Sequence, residues 1–256
     1  MLFQPVTLPK VAALLLLFFA GVASGQTTLE KKFAARATAE FLRAQKKFQA
    51  APDISTNAWQ FARACFDLAE QATNATQRAA VARLGIAASQ HHLARDPESA
   101  PGHYVLALND GELADAEAPS LAAYKLVHEI ESEFKAAAAL DEKFDHAGPA
   151  RCLGLLYRDA PGWPLSIGNK RKAREWLDRA VAIAPDYPEN YLNLAAAHLR
   201  WHESDEAGRV LKKLEAIWPA AQTNLLGVAW EQSWHDWTKQ RTDARADFQK
   251  QFKHAP

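Results

Sequence analysis

The chain has 256 residues, with thirty Lys and Arg against thirty Asp and Glu, and two cysteines. This zero formal net charge lacks the basic footprint that nucleic acid or an anionic membrane surface calls for, so neither is expected as a partner. Two cysteines are too few for a disulfide scaffold, and thirteen prolines and eleven glycines, mostly placed between alanine-rich segments, predict an all-α chain.

Residues 1–25 have the order of a secretory signal peptide. One charge, Lys10, precedes the apolar run Val11-Ala-Ala-Leu-Leu-Leu-Leu-Phe-Phe-Ala20, and the small residues Gly21-Val-Ala-Ser-Gly25 follow. The run is shorter than the roughly 20 residues that a helix needs to cross a bilayer. Cleavage after Ser24 or Gly25, and a periplasmic or exported mature protein, are the expectation. An uncleaved N-terminal anchor is the alternative. Without Lys10 the balance is twenty-nine basic residues against thirty acidic.

Residues 27–256 are expected to form one helical-repeat domain. Trp59, Ala62, Phe66 and Ala69 make an apolar stripe ahead of Asn74. A helix starting near Thr76 ends at Asp96-Pro97, and His103-Tyr104 with Leu106-Ala107 opens the next. Pro119 can begin a long helix through Leu140, with Ala123, Leu126, Val127, Ile130, Phe134 and Ala137 on one face. Cys65 and Cys152 both lie in apolar helical contexts, as buried free thiols or as a pair. Asp141, Glu142 and Asp145, beside Lys143, read as a helix cap with solvated charge.

The strongest pattern lies further on, in 147–219. Arg179-Ala-Val-Ala-Ile-Ala-Pro185 and Lys213-Leu-Glu-Ala-Ile-Trp-Pro219 are similar helix ends spaced by the length of a tetratricopeptide unit. From Pro188, Tyr191, Leu194, Ala195 and Ala207 occupy the large, leucine and small positions of that repeat. The small residues fall where the two helices of a hairpin cross most closely. In the preceding unit Leu153-Gly154, Tyr157, Ala173 and Ala180 do the same, and extra residues within 159–168 stretch it. Asn169 and Ser204 are candidate caps, and Pro188 suits a first turn. Residues 221–253 read as one long C-terminal helix, straight or kinked. Leu226, Trp230, Trp234 and Trp237 form its packing stripe, and a charged end from Lys239 closes the array. The expected architecture is an α-solenoid of ten helices in four or five tetratricopeptide-like hairpins with a long C-terminal helix.

The sequence contains no nucleophile elbow, phosphate-binding glycine loop, paired metal-ligand cysteines or dinucleotide fingerprint, so the reading is non-enzymatic, without cofactor or metal. His198 and His202 stand four apart beside Glu203, a spacing that lets two imidazoles share zinc, but no third ligand is evident. Pro161-Gly162-Trp163-Pro164 is the leading binding candidate, because a stiff loop on a rigid scaffold can present an indole. The alternative is that Trp163 folds back as a plug. First helices line the inner face of such arrays. Gly148, Arg151, Leu155 and Arg158 are groove candidates in one unit, and Glu189, Leu192, Ala196 and Arg200 in the next. Arg151, Arg158 and Arg200 match a carboxylate in shape, or are simply solvated.

The run Asp145-His-Ala-Gly-Pro-Ala-Arg-Cys-Leu-Gly-Leu-Leu-Tyr-Arg-Asp-Ala-Pro-Gly-Trp-Pro-Leu-Ser-Ile-Gly-Asn169, with Lys172-Ala173 and Ala184-Pro-Asp-Tyr-Pro-Glu-Asn190, resembles the T-component family associated with tripartite ATP-independent periplasmic (TRAP) transporters. The resemblance covers roughly Phe144 to Pro219. It implies a helical tetratricopeptide-type envelope protein that binds a protein partner, such as a periplasmic solute-binding protein, or a small organic ligand, in support of solute uptake. Self-association is compatible with the aromatic-rich end. The family is often lipid-anchored, whereas here no cysteine follows the signal-like segment. A general envelope scaffold for protein assembly, without a small-molecule ligand, is the other reading.

Overall fold

The structure, a computed structural model, describes residues 27–252. The segment read as a signal peptide lies outside these residues. Ten α-helices are described: α1 (Thr28–Ala50), α2 (Ser55–Ala69), α3 (Ala75–Leu93), α4 (Ala100–Glu117), α5 (Leu121–Leu140), α6 (Phe144–Asp159), α7 (Lys170–Ile183), α8 (Pro188–Arg200), α9 (Ser204–Asn224) and α10 (Glu231–Phe252). No strand occurs among the described residues. The chain divides into two compact units, the boundary crossing it at 97/98, 107/108 and 126/127.

In the first unit, a capping box starts α1: the Thr27 hydroxyl accepts from Glu30 N–H, and Glu30 returns a bond to Thr27 N–H. Its core is aromatic. Phe61 of α2 lies 5.5 Å from both Phe41 and Phe48 of α1. The buried face of α2 runs through Ala58, Phe61, Ala62, Cys65 and Leu68. Trp59 and Phe66 of the expected stripe are therefore only half-buried, at its edges. Asn74 caps α3 by accepting from Gln77 N–H at 2.9 Å. Asn109 donates to Ala62 O at 3.0 Å across this unit. A Cβ on Gly85 would stand 2.1 Å from Asn109 Oδ1, so α3 and α4 approach closely there only because position 85 is glycine.

In the second unit, α6 pairs with α7 and α8 with α9, giving two stacked tetratricopeptide hairpins. The small residues do what the repeat requires. A Cβ on Gly154 would lie 2.6 Å from Leu177 Cγ, and Ala195 and Ala207 are fully buried where α8 meets α9. Tyr157, Leu153, Leu177 and Leu214 fill the layers between. Asn169 caps α7 through Lys172 N–H at 3.0 Å, and Pro188 is in the first turn of α8. On α5 the buried positions in this unit are Ile130, Phe134, Ala137 and Ala138.

Three expectations need correction, and one feature was not foreseen. Pro219 does not end a helix, because α9 continues to Asn224. An interior proline loses the bond to the carbonyl four residues earlier and its ring crowds that carbonyl, but Pro219 faces solvent and burial of Trp218 and Ala221 on the inner face keeps the helix seated. Ser204 is the first residue of α9 rather than its cap, and Glu203, at the cap position, makes no side-chain cap bond. The C-terminal stretch is not one helix: Gly227 at φ +98° breaks it, and a 3-10 turn, Val228–Trp230, precedes α10. Finally, α6 opens with Asp145, His146 and Ala147 all in the left-handed region, which places Pro149 in the first right-handed turn.

Candidate functional site

The loop between α6 and α7 is closed on itself. Gly168 N–H donates to Pro161 O at 2.9 Å, and Asn169 N–H to Tyr157 O at 2.8 Å. Leu165 and Ser166 N–H both donate to Gly162 O, at 3.1 and 3.3 Å. The close approach depends on Gly168, whose Cβ would stand 2.0 Å from Ala160 O. The peptide bond between Trp163 and Pro164 is cis.

This scaffold presents Trp163 outward. Trp163 is 90% exposed and Leu165 is 70% exposed. The plug alternative therefore does not describe the loop. An indole and an isobutyl group are both exposed to water, on backbone already fixed by hydrogen bonds. Interface anchors are commonly built this way, since little conformational entropy remains to be lost on docking.

The other candidates are placed differently. Arg151 is buried, with a side chain only 5% exposed. Its guanidinium donates to Asn190 Oδ1 at 3.1 Å and to the carbonyls of His146 and Asp145 at 3.2 and 3.4 Å, and lies 3.4 Å from a Glu189 oxygen. Burial alone would disfavour its charge. Glu189 and the surrounding polar groups more than offset that, and its pKa is raised above the ordinary arginine range. Arg151 is thus an internal strut, Gly148 is buried where Tyr104 approaches it, and Leu155 packs half-buried on the hydrophobic cluster of α6–α10.

Arg158 and Arg200 do come together, on Asp159. Arg158 grips it with both Nε (3.0 Å) and Nη2 (2.8 Å), and Arg200 Nη1 reaches it at 2.5 Å. They border a cavity of about 390 Å³ between α8 and α10, whose far wall carries Asp243 and Asp247. Positive and negative groups balance there, so the pair of arginines is already matched within the chain. Ala196 is exposed on this surface, whereas Leu192 is buried under it.

His198 and His202 do not converge. His198 is buried, and its Nδ1 lies 2.7 Å from Glu203 Oε2, while His202 is exposed with φ +57°. Glu203 also receives Lys170 at 2.8 Å and Arg174. Burial alone would push its carboxyl up, but the hydrogen bonds from Lys170, His198 and Arg174 hold it at about 2. Among the described residues no group of three or more His, Cys, Asp or Glu is arranged to hold a metal.

Asp145 is not a solvated charge but accepts from Tyr104 O–H at 2.7 Å. Cys65 and Cys152 are free thiols, and burial pushes that of Cys152 up to about 11, away from thiolate reactivity at neutral pH. The tryptophan stripe is a packing face: Trp237 is buried 5.2 Å from Tyr187, Trp234 meets Trp218, and Trp230 reaches His146 and Tyr187. Leu226 lies outside it, 69% exposed. No sequence signal predicted the stacking of His146 on Tyr187, at 4.3 Å and 5° between planes.

No protein-family model matches the chain, and no curated protein matches it. Among solved structures it is similar to TTC0263, a thermophilic tetratricopeptide-repeat protein of Thermus thermophilus. That match has a TM-score of 0.62 and 18% identity, over 93% of this chain and 98% of that one. It is also similar to MamA, with a TM-score of 0.50 and 16% identity over 76% and 97% of the two chains. At such identities the likeness is one of fold: this is an all-α array of tetratricopeptide-type helical hairpins.

Proposed function

We propose that the chain is an exported, non-enzymatic helical-repeat protein that binds a protein partner through the 161–165 tip. The observation that carries this reading is Trp163, 90% exposed on a loop whose backbone is already closed by hydrogen bonds. The tip has no ionisable side chain, so it offers apolar contact area rather than acid–base chemistry. A tetratricopeptide scaffold suits this task because its stacked hairpins hold a loop rigidly away from the core.

The partner we propose is a periplasmic solute-binding protein, with the chain acting as an accessory component of a TRAP-type uptake system. The resemblance over 145–190 supports that assignment, and the Pro161-Gly-Trp-Pro164 insertion belongs to the resembling segment. The signal-like order of residues 1–25 supports export. Affinity capture from an envelope extract tests it, with the intact protein and its Trp163→Ala variant as parallel baits. Recovery of a solute-binding protein by the intact chain and its loss with the variant is the expected result. Equal recovery by both baits would remove the tip from the interface, and recovery of assembly proteins alone would remove the transport link.

A further inference from the structure

Away from the 161–165 tip, the second helices α7 and α9 stand apart over α8 and flank an open cavity of about 1030 Å³. Val181, Pro185, Leu194 and Val210 give it an apolar floor. Its volume lies at the upper end of clefts that hold small molecules, roughly 300–1000 Å³, which typically combine an apolar lining with a few converging polar groups.

Those polar groups are His198, Asp178, Lys212 and Lys213. His198 is only 3% exposed, and its Nδ1 is held by Glu203. The ring nitrogen left for a ligand is Nε2, which has no hydrogen bond and belongs to a side chain of the cavity wall. A histidine fixed at one nitrogen and open at the other is oriented by its neighbour for whatever meets the second. Glu203 is committed to His198, Lys170 and Arg174, and Glu206 to Arg209. Lys212 and Lys213 make no ion pair with any described residue, and Asp178 is the one lining acid without a salt bridge. Burial pushes its carboxyl up, while His198, Arg174 and Lys213 act on it in the opposite sense. Outside these ion pairs, two lysines, Lys212 and Lys213, stand against one acid, Asp178, along the apolar trough.

We propose that the cavity between α7 and α9 binds a small amphipathic monocarboxylate. The apolar body lies along Val181, Pro185, Leu194 and Val210, and the carboxylate faces His198 Nε2 and Lys213. Ammonium and imidazole groups recognise such a head by charge-assisted hydrogen bonds. The proposal does not depend on Trp163.

Isothermal titration calorimetry of the purified protein with octanoate tests it, with octanol as the uncharged control. Saturable one-to-one binding of octanoate is expected, with octanol weaker by roughly tenfold, the equivalent of one charge-assisted contact. Ala182 and Lys213 are exposed at the cavity, so Ala182→Trp and Lys213→Glu should leave the melting temperature in place. Ala182→Trp should weaken octanoate binding by occupying part of the trough beside Val181, and Lys213→Glu should weaken it by about tenfold. Trp163→Ala should leave it unchanged. Absence of saturable binding at millimolar octanoate, binding undiminished in Ala182→Trp, or equal affinity for octanol would each overturn the proposal.

Discussion

Arg151 donates from Nη1 to Asn190 Oδ1 across 3.1 Å, joining the first helices of two successive hairpins inside the protein. Asn190 is fully buried, and its amide group also donates to the carbonyls of His146, Ala180 and Ala184. One side chain therefore satisfies the left-handed turn at the start of α6, the end of α7 and the only buried guanidinium among the described residues. Asn190→Ala removes all of these bonds together and leaves Arg151 short of a partner. The expected loss is about 3 kcal/mol, within the range for unpaired buried polar groups. It should be read as a lower urea midpoint at unchanged slope. A loss under roughly 0.5 kcal/mol, the size of an ordinary surface change, would mean that other bonds hold this junction.

Trp163→Ala tests the opposite property, a residue that contributes to recognition but little to folding. With the residue 90% exposed, removal of its side chain should move stability by less than about 0.5 kcal/mol. Truncation of an interface anchor of this type costs about 2 kcal/mol or more in binding, roughly thirtyfold in affinity. Thermal unfolding and surface plasmon resonance with the captured partner measure the two effects separately.

Gly168→Ala should act on the same interface without touching the indole. An added Cβ meets backbone oxygen at 2.0 Å, which no rotamer change relieves. The loop must open, and Trp163 loses its fixed position. Gly154→Ala meets chiefly the Leu177 side chain, at 2.6 Å, and also Leu177 N at 3.1 Å. Its expected cost is about 1–3 kcal/mol of overpacking between α6 and α7. Binding should fall with Gly168→Ala and persist with Gly154→Ala at temperatures where that variant remains folded. The reverse pattern would place recognition on the helices rather than the loop.

Glu203 gives the second unit an acid-sensitive link. Its folded pKa, about 2, lies below the ordinary value of 4.5. The unfolded chain therefore takes up its proton first as pH falls. Stability from this group is fully present above about pH 4.5 and is lost as pH drops toward 2. Glu203→Gln should lower stability at neutral pH and flatten the pH dependence within that window. Chemical denaturation at pH 7, 4.5 and 3 measures this, and an unchanged slope in the variant would show that Lys170, Arg174 and His198 do not depend on Glu203.

The repeat was legible because sterics write it directly into residue size. Gly154, Ala173, Ala195 and Ala207 are small where helices cross, and Asn169 and Pro188 mark helix starts by their own backbone chemistry. Residues 161–165 were legible as a loop for the same reason, although only the fold decides that Trp163 points outward. Other features depend on partners distant in sequence. The left-handed Asp145–Ala147 turn is held by Arg151 and Asn190, and local preference disfavours it. Arg151 lies at a position that helical periodicity assigns to a groove, yet Asn190 and Glu189 draw it inside. Pro219 carries a true stop signal that burial of Trp218 and Ala221 overrides, and the break came later, at Gly227.

Recognition through Trp163 is tested most directly by quantitative affinity capture from an envelope extract with the intact chain and the Trp163→Ala variant, equally folded by circular dichroism. A periplasmic solute-binding protein should be enriched on the intact chain and depleted on the variant by tenfold or more, as expected when an interface anchor is lost. The same partner captured in equal amount by both would contradict it.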